Sequence, residues 1–431
     1  MKKLFIIPLA ILAAGFVFIS CSKPGNLNNL PAPPPSTDEG NTTPGGEGDG
    51  GDGGNEDDTW DPVPPGWDET THCSDIGQVP IILTYFTEYN EALPDVRYLT
   101  HINYAHGRFA DPTNGTGGIV ITESKKAPIK DVVALKSVNP RLKVCLMVGG
   151  WGAHADGFSM MARDAAKRTE FCQSIKSLLD QHQMDGIDID WEYPTQSADN
   201  ETGCDKSDTQ NFNLVLKELR ETIGTDKIIS FASSSSAKYV DWNTAMKYLD
   251  YVNVMTYDMG SAPNGHNSPL HKSDVFNQRS WDESIEAHVD GGVPKVRQVM
   301  GIPFYGKAEK PPQDKNSPEY AIYAANKIFE YSVKYYEIPD ILEKGKYNGK
   351  ALVRPVFRVW EPTSKVPYLR DNNWKNVLSY DDPESVAEKG AYIKANKLLG
   401  AMFWEYRYDT EDHALNKAAV SSIYGRDTVL Q

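Results

Sequence analysis

A chain of 431 residues, of which 24% are charged, is long enough for one large globular domain with additions or for two domains. Its formal net charge of −15 argues against nucleic acid or an anionic membrane surface as a partner and suits a neutral ligand. The start Met1-Lys2-Lys3, followed by an apolar run from Leu4 to Ile19, has the charged head and short hydrophobic core of a secretory signal rather than of a spanning helix.

That run closes in Phe18-Ile19-Ser20-Cys21, which resembles a bacterial lipobox with Phe18 in place of the usual aliphatic residue. Export as an envelope lipoprotein acylated at Cys21 is the expectation, with an ordinary cleaved signal as the alternative. Residues 22–72 are dominated by Gly, Pro, Asn, Asp and Thr and cannot bury enough apolar surface to fold, so they read as a flexible tether. Trp60 and Trp67 near its end are expected to pack on the domain that follows. Cys73, Cys145, Cys172 and Cys204 show neither C-x-x-C spacing nor a nearby His pairing, so no metal site is expected. One disulfide is compatible with export, but Cys145 and Cys172 fall in a strand and a helix and read equally as buried thiols; the pairing stays open.

Eight short β-branched and aromatic runs follow: 81–86, 101–105, 144–149, 186–191, 228–232, 251–257, 298–303 and 400–404. Amphipathic stretches such as 165–182, 211–223 and 383–396 lie between them, the last with Pro383 in its first turn. Alternating strands and helices predict an α/β fold, a (β/α)₈ TIM barrel over 73–306 and 383–431. The interval 307–382, between the seventh and eighth strands, carries its own apolar and aromatic runs. It reads as an inserted α+β subdomain rather than one oversized loop, because structureless loops of that length are rare.

The fourth strand holds the sharpest signal, Asp185-Gly-Ile-Asp188-Ile-Asp190-Trp-Glu192-Tyr-Pro. Strand side chains alternate, so Asp188, Asp190 and Glu192 share one face while Ile187, Ile189 and Trp191 share the other. Neighbouring acids then stand about 7 Å apart along the strand, close enough to perturb one another's ionisation. An exposed acidic edge is the bland alternative, but the apolar face opposite requires packing on both sides. Barrel chemistry sits at the carboxyl ends of strands, where Glu192 stands with Asp190 and Asp188 progressively deeper. A partly desolvated carboxyl beside a negative neighbour can hold its proton near neutrality, which fits Glu192 as a general acid. Other strand ends are aromatic: Tyr85, Gly149-Gly150-Trp151, Met255-Thr256-Tyr257-Asp258, Phe304-Tyr305 and Trp404-Glu405. Taken singly, each is more often core packing than ligand contact; together they describe a cleft with stacking platforms for apolar sugar faces.

The spacing D-x-x-D-x-D-x-E at Asp185, Asp188, Asp190 and Glu192 resembles the signature of glycoside hydrolase family 18, the chitinases and their relatives. The resemblance covers roughly Gln78 to Tyr424, since Met255-Thr-Tyr-Asp258, Gly301-Ile-Pro-Phe-Tyr-Gly306 and Met402-Phe-Trp404 resemble the family's sixth, seventh and eighth strands. Pro367-Tyr368 and the stretch from Ser379 to Ser385 resemble the return from the family's α+β insertion, which walls a substrate cleft. It implies a substrate-assisted retaining mechanism without an enzyme nucleophile. Glu192 would protonate the glycosidic oxygen while the sugar's 2-acetamido oxygen attacks the anomeric carbon. Asp190 would accept from the acetamido N–H, Tyr257 would orient the attacking oxygen, and Asp188, supported by Tyr85, would share a proton with Asp190. Trp404 would floor the subsite of the distorted sugar with Met255, Asp258 and Tyr305 nearby, and Trp151 would stack on the leaving-group side. Two positions depart from the pattern. Met147 replaces the serine of S-x-G-G and removes a donor to the deep aspartate, and Lys307 replaces an arginine, losing its planar fork.

These readings predict an exported monomeric glycosidase acting on chitin or chitooligosaccharides, with no cofactor and no membrane contact beyond the lipid anchor. An endo-β-N-acetylglucosaminidase acting on N-glycans and a non-catalytic chitooligosaccharide-binding surface lipoprotein are the alternatives.

Overall fold

A computed structural model describes residues 72–73, 79–196 and 204–430. The expected signal, Cys21, and the tether with Trp60 and Trp67 up to residue 71 lie outside the described residues. Eight parallel strands, Ile81–Phe86, His101–Asp111, Lys143–Gly150, Gly186–Trp191, Ile228–Ser234, Tyr251–Met255, Gln298–Pro303 and Gly400–Trp404, pair in sequence. The first also pairs with the eighth, Ile81 against Gly400, and closes a (β/α)₈ barrel. Each strand buries both faces, as a closed parallel sheet under helices requires. Inward residues such as Leu83, Tyr85, Met147 and Met402 fill the barrel, while outward ones such as Ile187, Ile189 and Trp191 meet the helices.

The outer helices begin where local chemistry lets them. Asp164 accepts hydrogen bonds from the amides of Ala166 and Lys167 at the start of Ala165–His182, and Ser280 and Glu283 form a capping box for Trp281–Gly291. Asp382 caps Pro383–Ala395, with the proline in the first turn.

Two element boundaries differ from the sequence reading. The second strand runs on to Asp111 and folds back as a hairpin with Thr116–Ile121. The sixth stops at Met255 rather than continuing to residue 257, because Thr256 leaves the ladder: its amide turns back to the Val254 carbonyl and its hydroxyl donates to that of Gly301. Tyr257 and Asp258 therefore lie beyond the end of the strand.

Between the seventh and eighth strands lies a five-stranded antiparallel sheet made of Tyr305–Lys307, Ser332–Lys334, Val356–Glu361, Val366–Asp371 and Asn376–Ser379. Helices Pro318–Asn326 and Ile338–Lys344 belong to the same segment. Where this segment returns to the barrel, Asp381 Oδ1 and Lys389 Nζ meet at 2.5 Å with both side chains fully buried. At the barrel foot, Asp250 accepts from the amides of Cys73 (2.6 Å) and Ile229 (2.7 Å) and from Arg220 (2.7 Å). Cys73 thereby enters the floor beside Ile81, Cys145 and Tyr251. Cys145 and Cys172 are buried free thiols in a strand and a helix.

Candidate active site

Asp188, Asp190 and Glu192 follow one another toward the carboxyl end of the fourth strand, at 0%, 4% and 7% exposure. Behind them Trp191 stacks on Phe158 and meets Phe212 edge-on, which fixes the strand's register; a slip of one residue would turn the acids outward. The third strand comes so close that a Cβ on Gly149 would lie 2.1 Å from the Asp190 carbonyl oxygen. Gly149 also holds φ +105°, so only glycine suits this position. Asp185 sits below the row. It accepts from the Val144 amide at 2.7 Å and pairs with Lys136, anchoring the start of the neighbouring strand.

The three carboxyls occupy different environments. Asp188 receives Tyr85 Oη on Oδ2 at 2.8 Å, and Ser230 Oγ (2.6 Å) and Asn253 Nδ2 (2.9 Å) on Oδ1. Burial pushes its pKa up to about 6 against the pull of those donors. Asp190 lies between two acids, and its buried Oδ1 has no hydrogen-bond partner. Burial first, then the charges of Glu192 and Asp188, raise its pKa well above the usual carboxylate range. Glu192 is lifted to about 7, chiefly by burial and further by the charge of Asp258, while a hydrogen bond from Tyr193 acts the other way.

Around this row the chain assembles one cleft of about 160 Å³, lined by Tyr85, Trp151, Asp190, Glu192, Met255, Tyr257, Asp258, Tyr305 and Trp404. Tyr85 lies beneath Trp404, ring centroids 5.4 Å apart, and Tyr257 meets Tyr305 edge-on at 6.2 Å. Trp151 stands 58% exposed at the rim, an apolar plate facing solvent. Tyr305 Oη donates to Asp258 Oδ1 at 2.7 Å and Lys307 Nζ pairs with the same oxygen at 3.0 Å. Glu405, next to Trp404, is held by Thr87 at 2.5 Å and Arg407 at 2.7 Å and does not line the cleft. A larger cavity, about 410 Å³, opens at the opposite end of the barrel. Its lining includes Thr100, His101, Arg141, Lys143 and Arg426 but no carboxylate.

Nine of the ten residues expected to act on or bind the sugar thus line a single opening. The tenth, Asp188, lies directly beneath. Residues 81–409 match the family described as "Glycosyl hydrolases family 18". The chain belongs to that family. It is 30% identical over 407 residues to chitinase A1 of Niallia circulans, spanning 79% of this chain but 57% of that protein, less than two thirds of its length. Among solved structures, a Group IV chitinase of Ostrinia furnacalis in complex with allosamidin superposes with a TM-score of 0.66 at 25% identity, over 80% of this chain and 99% of that one. A family 18 N-acetylglucosaminidase of Paenibacillus barengoltzii gives 0.61 at 27%, again over 80% and 99%.

Against the family pattern the two departures look different in three dimensions. Met147 is in register with Asp188 and offers no donor, while Ser230 and Asn253 donate to Asp188 from the fifth and sixth strands. Lys307 is nearly buried and committed to Asp258, with its ammonium 4.5 Å from the centre of the Tyr331 ring. Sequence reasoning missed Ser230, Asn253 and Tyr193. The alternation of the fifth strand, which turns Ser230 inward opposite Asp188, was the available signal for the first of them.

Proposed function

We propose that this protein is an exported glycosidase that cleaves the β-1,4 links of chitin or chitooligosaccharides by a retaining, substrate-assisted route. One observation carries the reading. Glu192 and Asp190 stem from one strand and one face, so they reach the scissile bond from the same side, while the third acid of the cleft, Asp258, is paired with Lys307. A retaining hydrolase with its own nucleophile needs the second carboxyl across the sugar from the first. Asp190 is not placed for that task, and the nucleophile is assigned to the substrate's 2-acetamido oxygen. Asp190, with Oδ1 unpartnered, accepts from the acetamido N–H, and Tyr257 orients the attacking oxygen. Glu192, with a pKa near 7, is the proton donor to the leaving oxygen. Trp404 and Tyr85 carry the apolar face of the reacting sugar, Met255, Asp258 and Tyr305 border it, and Trp151 holds the leaving-group side.

Export with a lipid anchor at Cys21 rests on the charged, apolar N-terminus and stays part of the proposal. The antiparallel sheet that supplies Tyr305 and Lys307 favours a walled cleft for chito-oligomers over the broad N-glycan core. The test is a product profile from N-acetylglucosamine oligomers of increasing length, alongside a high-mannose glycoprotein. Oligomer products with the β-anomer appearing first support the proposal, as does a fall in turnover of roughly 10²–10⁴ for Glu192→Gln with oligomer binding retained. Release of the glycan alone, the α-anomer first, or equal inactivity of wild type and Glu192→Gln with binding intact would each overturn it.

A further inference from the structure

Asp188 stands between two neighbours in the sheet, in register with Met147 on one side and Ser230 on the other. All three are fully buried. Strands in a sheet lie about 4.8 Å apart, and residues in register in parallel strands point to the same face, so either neighbour could hydrogen-bond Asp188 if it carried a short donor. Met147 carries none, since a thioether sulfur is only a weak acceptor. Ser230 Oγ lies 2.6 Å from Asp188 Oδ1, closer than Asn253 Nδ2 at 2.9 Å on the same oxygen or Tyr85 Oη at 2.8 Å on the other.

We infer that Ser230 is the positioning residue of the buried carboxyl pair, holding Asp188 ionised through a donor that this chain takes from the fifth strand because Met147 leaves the third without one. Tyr85, Ser230 and Asn253 donate to Asp188, Asn103 also favours its charged form, and Asp190 Oδ1 has no donor; that asymmetry decides where the pair's single proton resides. It sits on Asp190, and Asp188 is the anion. The other titratable groups facing Asp188 are Tyr85, Cys145, Tyr251 and Tyr257, all raised by burial far from the acid range. Asp190, raised by burial and by the charges of Glu192 and Asp188, and, beyond it, Glu192 are the other carboxyls of the row.

The kinetic consequence rests on the proposed hydrolase reading; the titration itself does not. The full chain, with Ser230→Ala, Met147→Ser and the double variant, is assayed for kcat/KM against pH, and the aspartate carboxyls are titrated by carbon-13 NMR. Removing a hydrogen bond that favours the charged form raises the pair's first pKa. Ser230→Ala is expected to move the acid limb of the profile up by about one pH unit, leaving the alkaline limb in place, while Met147→Ser in that background brings it back. Ser230→Cys, similar in size and a weaker donor, is expected to shift the limb part-way and serves if the alanine variant does not fold. A merely structural serine would lower stability and turnover at every pH without moving the limb, and that result overturns the inference. So does a double variant that stays shifted. If the wild type hydrolyses no substrate, the hydrolase reading fails. The Asp188 titration then decides alone, and an unchanged midpoint in Ser230→Ala sinks the positioning role.

Discussion

Two buried charged clusters of this barrel solve opposite problems. At the return from the antiparallel sheet, Asp381 and Lys389 face each other at 2.5 Å, both at 0% side-chain exposure. Ser268 takes a further hydrogen bond from the lysine at 3.0 Å, and the Trp281 ring lies 5.2 Å away. Burial pulls the aspartate up and the lysine down, toward neutrality, and their mutual attraction opposes both shifts. Across the barrel, Asp188, Asp190 and Glu192 are as deeply buried, but the charges beside Asp190 are of its own sign and add to the desolvation instead of cancelling it. Depth therefore does not separate a structural charge from a chemical one. The sign of the neighbours does, and an acid left without a cation is held ready to give up a proton near neutrality.

The largest effect separating the two clusters is expected on stability. Lys389→Met leaves Asp381 buried without its cation, which costs about 3–5 kcal/mol. Chemical denaturation measures it, and the folded fraction should keep most of its turnover, since Lys389 does not line the cleft. Near-normal stability of this variant would remove the structural half of the comparison.

For the acid row the sign reverses. The folded-state pKa of Glu192, about 7, lies above its ordinary 4.5, so the native chain binds more protons than the unfolded chain between those values. Stability is full below about pH 4.5 and falls as pH rises toward 7, by roughly 3 kcal/mol for this group alone. Glu192→Gln should erase that fall: the variant should melt with the wild type at pH 4.5 and above it at pH 8. Equal melting at both values would mean that Glu192 is not desolvated as its burial implies. The same ionisation sets the alkaline limb of kcat/KM near pH 7.

How much of this was legible follows from how local each signal is. The acid row, its apolar reverse face and the eight strands were readable because alternation is a property of adjacent residues. The donors to Asp188 were not, because Ser230 and Asn253 lie 42 and 65 residues further along the chain and arrive only through register. Met147 supplies no donor from its own strand, while neighbouring strands of the sheet do. The end of the sixth strand was misplaced because Thr256 and Tyr257 suit a strand by residue type, while a hydrogen bond from Thr256 to the Gly301 carbonyl bends the chain away. Glu405, an acid at a strand end, shows the converse: its fixed partners Thr87 and Arg407 make it structural, which composition alone could not reveal.

Lys307 gives the smallest and finest test, because it joins the two kinds of cluster. It is a nearly buried cation 3.0 Å from Asp258, and the charge of Asp258 is one of the forces that raise Glu192. Lys307→Met would leave that negative charge uncompensated at the cleft wall, so the proton on Glu192 should be held more tightly. The alkaline limb should move up by a few tenths of a pH unit, small because the Asp258 side chain is 51% exposed and water screens it. Asp258→Asn should move the limb down, and 1 M salt should shrink both shifts. A downward shift in Lys307→Met, or a shift indifferent to salt, would mean that the lysine acts by packing against Tyr305 and Tyr331 rather than by its charge. Lys307→Arg then separates the two. It keeps the charge and the ring contacts while adding the planar fork, so an unchanged limb with altered affinity for longer oligomers would assign the fork to substrate grip alone.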